Sequence, residues 1–148
     1  MLILLRTFVL LMSVFLPRFL YAMPLDLTPY KGQVVLVDFW ASWCSPCHAS
    51  FPWLKDVQKK YANQGLIVLT INLDERRQDA ETFLAKYPSS LAVLYDPKGE
   101  YAQQYGLETM PTSLIVDRKG AIRYRHNGFL ESKVNDYEDH IRTVLRDE

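Results

Sequence analysis

The chain has 148 residues, 49% of them hydrophobic and 13% aromatic, with 17 basic against 17 acidic side chains. This is ample material for one core and points to a single compact domain rather than two. Setting aside the first 22 residues, which hold Arg6 and Arg18 but no acid, leaves 15 basic against 17 acidic residues, and a net charge of −2 gives no reason to expect nucleic acid as a partner.

The first 22 residues, MLILLRTFVLLMSVFLPRFLYA, read as a targeting segment. Thr7 to Leu16 forms an apolar stretch, Arg6 supplies a weak positive start, Pro17 breaks the helix and Ala22 offers a small residue for cleavage. Leu20 fits the small-residue rule poorly, and Leu2 to Ala22 also has about the ~20 apolar residues of an uncleaved membrane anchor. Only about ten residues separate Ala22 from the first predicted strand, a short tether for a domain that meets large partners, which favours cleavage. Either way residues 23–148 are expected outside the cytosol, periplasmic or otherwise extracytoplasmic.

Beyond the leader, strand and helix signals alternate. Val34 to Trp40 is a continuous apolar and β-prone run, as in a strand buried on both faces. A helix is predicted from about Pro46 to Asn63, with Leu54, Val57 and Tyr61 on one face and Gly65 at its end. Leu66 to Asn72 is a second buried strand. Ala80, Phe83, Leu84 and Tyr87 recur at helical spacing and stop before Pro88. Ala92 to Tyr95 is a short strand that leads through Asp96 to Gly99 into a short helix ending near Gly106. Ser113 to Val116 and Ala121 to His126 flank a polar turn at Asp117 to Gly120 and predict a hairpin. A last helix runs from about Ser132 to Leu145, burying Val134, Tyr137, Ile141, Val144 and Leu145. The order βαβαβαββα predicts an α/β fold, a central mixed sheet with helices on both faces.

Cys44 and Cys47 are the only cysteines in the chain. Three residues apart and just past an apolar strand, they can close a disulfide across one helical turn, where a helix N-terminus stabilises the thiolate of the first sulfur. Structural pairs usually close long loops, whereas this one closes the shortest useful loop, which favours redox catalysis over an inert staple. A metal site is disfavoured, because zinc wants four ligands and His48, His126 and His140 are scattered, with His48 expected on an exposed helix face. Asp38, six residues before Cys44, is a charge inside an apolar strand; it is costly there unless it has a task or reaches water at the strand end.

The segments VDFWASWCSPC, VLTINLD, AVLYDPKGEYAQQYGL, MPT and LIVDRKGAIRYRHNGF, in this order, resemble the thioredoxin superfamily, and within it the secreted TlpA and ResA branch of thiol-disulfide oxidoreductases. The resemblance implies a thioredoxin-like fold with a βα insertion. It implies that Cys44 is the nucleophile and Cys47 the resolving thiol. It implies that Asp38 is a buried carboxylate that exchanges a proton with Cys47, its pKa raised by burial. It also implies that Pro111 is a cis-proline, presenting the Met110 backbone to an extended partner segment. Trp40 and Trp43 are expected around the dithiol, with Trp43 on the partner-binding surface or merely at its rim. Ser45 and Pro46 supply no cation beside the second cysteine, which leans toward a reductase.

Two positions depart from the family: Ser50 stands where relatives that reduce apocytochrome c often carry glutamate, and Thr70 replaces the lysine that accompanies the buried acid in thioredoxin. No organic cofactor and no metal are implied. The expected partners are protein disulfides or dithiols and a membrane-embedded dithiol electron donor, with the chain itself a monomer. A disulfide-forming oxidant and a cytochrome c maturation thioredoxin remain as alternatives, as do a peroxiredoxin-like peroxidase and a non-catalytic binding module.

Overall fold

The computed structural model describes residues 25–147, so the leader expected over residues 1–22 lies outside the described residues. A five-stranded sheet is built from β1 (Val34–Trp40), β2 (Leu66–Asn72), β3 (Ala92–Tyr95), β4 (Thr112–Val116) and β5 (Ile122–Asn127), in the spatial order β3-β2-β1-β4-β5. β1 runs parallel to β2 and antiparallel to β4, and β4 and β5 form the expected hairpin. With a strand on each side and cover on both faces, every residue of β1 is buried, which is why its sequence runs apolar without alternation.

Side chains of β1 nonetheless divide between two cores. Val34, Leu36 and Trp40 face one layer, together with Leu66 and Val68 of β2 and Ile115 of β4. Val35, Val37 and Phe39 face the other, with Leu69, Ile71, Leu114 and Val116. The first layer is closed by α1 (Ser45–Tyr61), α2 (Arg77–Lys86) and α4 (Val134–Arg146). The second is closed by the stretch from Leu25 to Tyr30 and by the short α3 (Glu100–Gln104) with its flank. Helical cover is thus uneven: three helices on one face, one short helix and an irregular segment on the other.

The predicted elements fall close to their expected bounds. α1 begins at Ser45, one residue earlier than expected, and after Tyr61 tightens into a 3-10 turn at Ala62–Gln64 that ends on Gly65. Gly65 has φ +89°, a left-handed conformation open to glycine, and the Arg118 guanidinium lies 3.0 Å from where a Cβ would sit. Pro52 lies inside α1 and has no N–H to give to the helix ladder. In α4 the expected stripe is present, with Tyr137, Ile141 and Val144 buried and Val134 and Leu145 packed at the edge of the core.

Candidate active site

β1 delivers its C-terminal end to the start of α1, and the two cysteines occupy that junction. Cys44 is the residue that caps α1, Ser45 and Pro46 open the helix, and Cys47 lies in its first turn. Pro46 costs nothing here, because N–H groups in the first turn have no intrahelical acceptor. The cysteines form a disulfide with S–S 2.01 Å and Cα–Cα 5.3 Å. Cys47 is fully buried and Cys44 keeps 5% exposure. Cys44 is therefore nearly buried itself, and what little access the pair keeps is on its side. Once reduced, Cys44 sits at the N-terminal, positive end of the α1 dipole, which favours its thiolate.

The neighbours of Cys44 on the surface are Trp43, 69% exposed, and the exposed Ser45 and Pro46. Trp40 is fully buried, its ring 5.1 Å from Phe51 and 4.6 Å from Phe83. Opposite lies the Met110-Pro111 peptide, which is cis. Trp43, Cys44, Pro46, Leu73, Leu107 and Met110 line a largely apolar groove of about 560 Å³. A second groove of about 510 Å³ shares Pro46 and Met110 and continues to Phe129 and Leu130. Met110 thus stands between two grooves, the first of which it shares with Cys44. A wider depression of about 710 Å³ near Tyr30, Lys59 and Leu91 contains none of the candidate residues.

Asp38 points into the layer that holds α1, since it alternates in phase with Leu36 and Trp40. It is fully buried, so the alternative of a strand-end acid in water does not hold. Ser113, its antiparallel partner on β4, donates its hydroxyl to Asp38 Oδ2 at 2.6 Å. Oδ1 is buried without a partner among the described residues. Burial raises the Asp38 pKa to about 7, with the Ser113 hydrogen bond pulling it down. Thr70, the parallel partner on β2, turns its hydroxyl away to donate to the Ala92 carbonyl at 3.0 Å. Ser50 is buried and donates to the Cys47 carbonyl at 3.2 Å, so no acid stands at that position.

Two expectations about histidine are corrected. His48 is half-buried rather than exposed: its Nε2 lies 3.0 Å from the Ser42 carbonyl and its Nδ1 lies 3.0 Å from the Tyr87 hydroxyl, because α2 packs against that side of α1. His126 and His140 are not scattered: β5 and α4 bring their rings together, with Nε2 of His126 2.9 Å from Nδ1 of His140. Among the described residues no group of three or more His, Cys, Asp or Glu side chains could hold a metal.

A further buried acid was not singled out. Asp74, which ends VLTINLD, is 3% exposed, and its carboxylate accepts the Ser42 hydroxyl at 2.8 Å, the Ser42 N–H at 3.0 Å and the Asn72 side-chain amide at 2.7 Å. Its closeness in sequence to the end of a buried strand was the only available signal.

A cap-position cysteine bonded to a buried cysteine in the first turn, and a cis-proline facing them on a thioredoxin-like sheet, define a thiol-disulfide oxidoreductase of the thioredoxin superfamily. The comparisons agree. The Redoxin family model matches residues 21–141, and the chain belongs to that family. The thiol-disulfide oxidoreductase ResA of Geobacillus thermodenitrificans is 25% identical over 118 residues, covering 80% of this chain and 67% of that protein. A Chlorobium tepidum structure, described as a thiol:disulfide interchange protein DsbE, is 43% identical with a TM-score of 0.79, covering 80% of this chain and 84% of that one. StoA from Bacillus subtilis is 26% identical with a TM-score of 0.66, covering 77% and 86%. The likeness to the ResA branch expected from the motifs is thereby confirmed.

Proposed function

We propose that the chain is an extracytoplasmic reductase of protein disulfides. The observation that carries this reading is the Cys44–Cys47 disulfide at the start of α1, with Cys44 opening onto a groove at Met110 and Cys47 buried in the layer of Asp38. In the reduced protein the Cys44 thiolate attacks one sulfur of a partner disulfide. The partner S–S bond breaks, its other sulfur leaves with the electron pair and takes a proton, and Cys44 is left in a mixed disulfide. Cys47 gives its proton to Asp38 and attacks Cys44 Sγ. The Cys44–Cys47 bond forms, the second partner thiolate leaves, and the partner has gained two electrons that the chain has lost.

Asp38 is the general base because its carboxyl, with a pKa of about 7, is matched to working pH. Met110 and Trp43 are the docking residues, Met110 through an extended partner segment paired against its backbone and Trp43 through exposed aromatic area beside the sulfur. Ser45 and Pro46 bring no cation to the dithiol, which leaves the disulfide a weak oxidant and the dithiol a reductant. The chain works as a monomer, and residues 1–22 are its export signal. The glutathione and NADPH systems that keep thiols reduced are cytosolic, so a membrane-embedded dithiol protein regenerates it.

The test is Cys47→Ser in cells. Without the resolving thiol, partners stay bonded to Cys44 and appear as adducts that dithiothreitol releases. Cell extracts free of such adducts would overturn the exchange reading. Rapid consumption of hydrogen peroxide by the reduced protein would favour the peroxidase alternative instead.

A further inference from the structure

Ser42 lies two residues before Cys44, and every polar group it has is held. Its N–H donates to Asp74 Oδ2 at 3.0 Å and its hydroxyl to Asp74 Oδ1 at 2.8 Å. Its carbonyl lies 3.0 Å from His48 Nε2. A carbonyl only accepts, so Nε2 carries the ring proton, and in the neutral ring Nδ1 accepts the hydroxyl of Tyr87 at 3.0 Å. The ring is further fixed between Phe83 and Tyr87, at centroid distances of 4.7 and 5.8 Å. Asp74 is itself oriented by Asn72, whose amide donates to Oδ2 at 2.7 Å and whose Oδ1 accepts the Asp74 N–H at 3.1 Å. His48 directly follows Cys47 in α1. The network therefore ties the loop that carries the attacking sulfur to the helix turn that carries the resolving one, by a route independent of the S–S bond. A buried carboxylate that accepts only from neutral donors is an expensive way to hold a loop for stability alone.

We propose that Asp74 and His48 are positioning residues of the dithiol, which keep Cys44 within reach of Cys47 whenever the two sulfurs are not bonded to each other. This rests on the exchange reading above, in which Cys47 must strike Cys44 Sγ after the S–S bond has been opened. In the dithiol and in the mixed disulfide the covalent tie is gone, and the grip on Ser42 takes its place. Holding two reacting groups in place raises their effective concentration. Ring closure is then faster, and the closed disulfide is harder to reduce, so the grip makes the protein both a quicker resolver and a stronger reductant.

The experiment measures, on the full chain, the reduction potential and the rate at which a preformed mixed disulfide closes. His48→Leu keeps the bulk of the ring but cannot donate to Ser42, Asp74→Ala removes the other hold, and His48→Gln restores a donor. His48→Leu and Asp74→Ala are each expected to lower the effective concentration about tenfold, the worth of one or two hydrogen bonds, which is about a 30 mV rise in potential. Closure slows by the same factor. Alkylation of Cys44 in reduced His48→Leu keeps its wild-type pH profile, which separates positioning from a change in thiolate stability, and His48→Gln recovers most of the closure rate. Should either variant fail to fold, Ser42→Ala removes a single hydrogen bond and is expected to slow closure about twofold to threefold. Folded variants with wild-type potential and closure rate, in a protein whose Cys47→Ser form still traps partners, would overturn the positioning role and leave the exchange reading standing. Failure of Cys47→Ser to trap any partner overturns both.

Discussion

Asp38 is the least comfortable residue in the core, and its discomfort can be measured. Its carboxyl has a pKa near 7 in the folded chain against about 3.9 when unfolded. Between those values the folded state binds a proton that the unfolded state has released, so stability falls as pH rises from about 4 to about 7 and stays low above it. The cost at pH 8 relative to pH 4 is on the order of 4 kcal/mol. Asp38→Asn keeps the shape and removes the charge, so urea unfolding of this variant at pH 8 should show a gain of up to about that size, with little gain at pH 4. An equal gain at both pH values would mean that Asp38 titrates normally. The same substitution removes the proposed proton acceptor, so closure of the mixed disulfide slows while attack by Cys44 is unaffected. Asp38 and the cysteines were legible in the sequence because each breaks a pattern: a charge in an apolar run, and the only two thiols at helical spacing. Ser113, Ser42 and Asp74 were not, because they are ordinary polar residues whose meaning comes from partners 75 and 32 positions away. His48 was misread for the same reason: its surroundings depend on where α2 lands.

At the scale of elements, β5 and α4 are joined by stacked rings rather than by an aliphatic seam. Tyr124 lies 4.1 Å from His140 at an interplanar angle of 9°, and His126 lies 4.7 Å from Tyr137 and hydrogen-bonds His140. Burial, and then the positive charge available at His140, hold the His126 pKa down to about 4. A depressed histidine contributes stability that is complete above its unfolded pKa of about 6.5 and is lost as pH falls toward 4, because the unfolded state takes the proton first. Hydrogen exchange in α4 is therefore expected to accelerate between pH 6.5 and 4 relative to β1. His126→Phe should remove most of that pH dependence, and an unchanged profile would show that the junction is insensitive to this ring. At the other end of the molecule, Arg118 donates to the carbonyls of Gly32, Gln64 and Leu145. It thereby ties together the entry to β1, the exit of α1 and the end of α4. Arg118→Ala leaves these carbonyls to water and should cost about 1–3 kcal/mol in urea unfolding, without altering the dithiol. The elements themselves were readable from apolar runs, helical spacing and the Asp117 to Gly120 turn. Their distribution over the sheet was not, because an amphipathic helix shows which of its sides is buried and not which face of the sheet buries it. α2 joins α1 and α4 on one face through Ala80 and Phe83, and only α3 is left for the other.

For the molecule as a whole, redox direction and folding stability are two sides of one thermodynamic cycle. The disulfide can be opened in the folded or in the unfolded chain, and each form can be unfolded. Any preference of the fold for the closed pair must therefore appear both as a lower reduction potential and as a more stable oxidised form. A strong oxidant such as DsbA shows the converse, since its potential near −120 mV reflects a stabilised reduced form. Here Ser45 and Pro46 give a Cys44 thiolate no cation, and the grip on Ser42 favours the closed pair. The oxidised protein is therefore expected to unfold at higher urea concentration than the reduced protein, and the Cys44–Cys47 potential to lie near about −270 mV or below. The cycle also fixes the scale: every 30 mV separating the folded pair from the same pair in the unfolded chain equals about 1.4 kcal/mol between the two forms. Paired urea titrations of the oxidised and dithiothreitol-reduced protein, with the potential measured in defined thiol buffers, must agree on this difference. A reduced form more stable than the oxidised one, with a potential near about −120 mV, would make the protein an installer of disulfides instead.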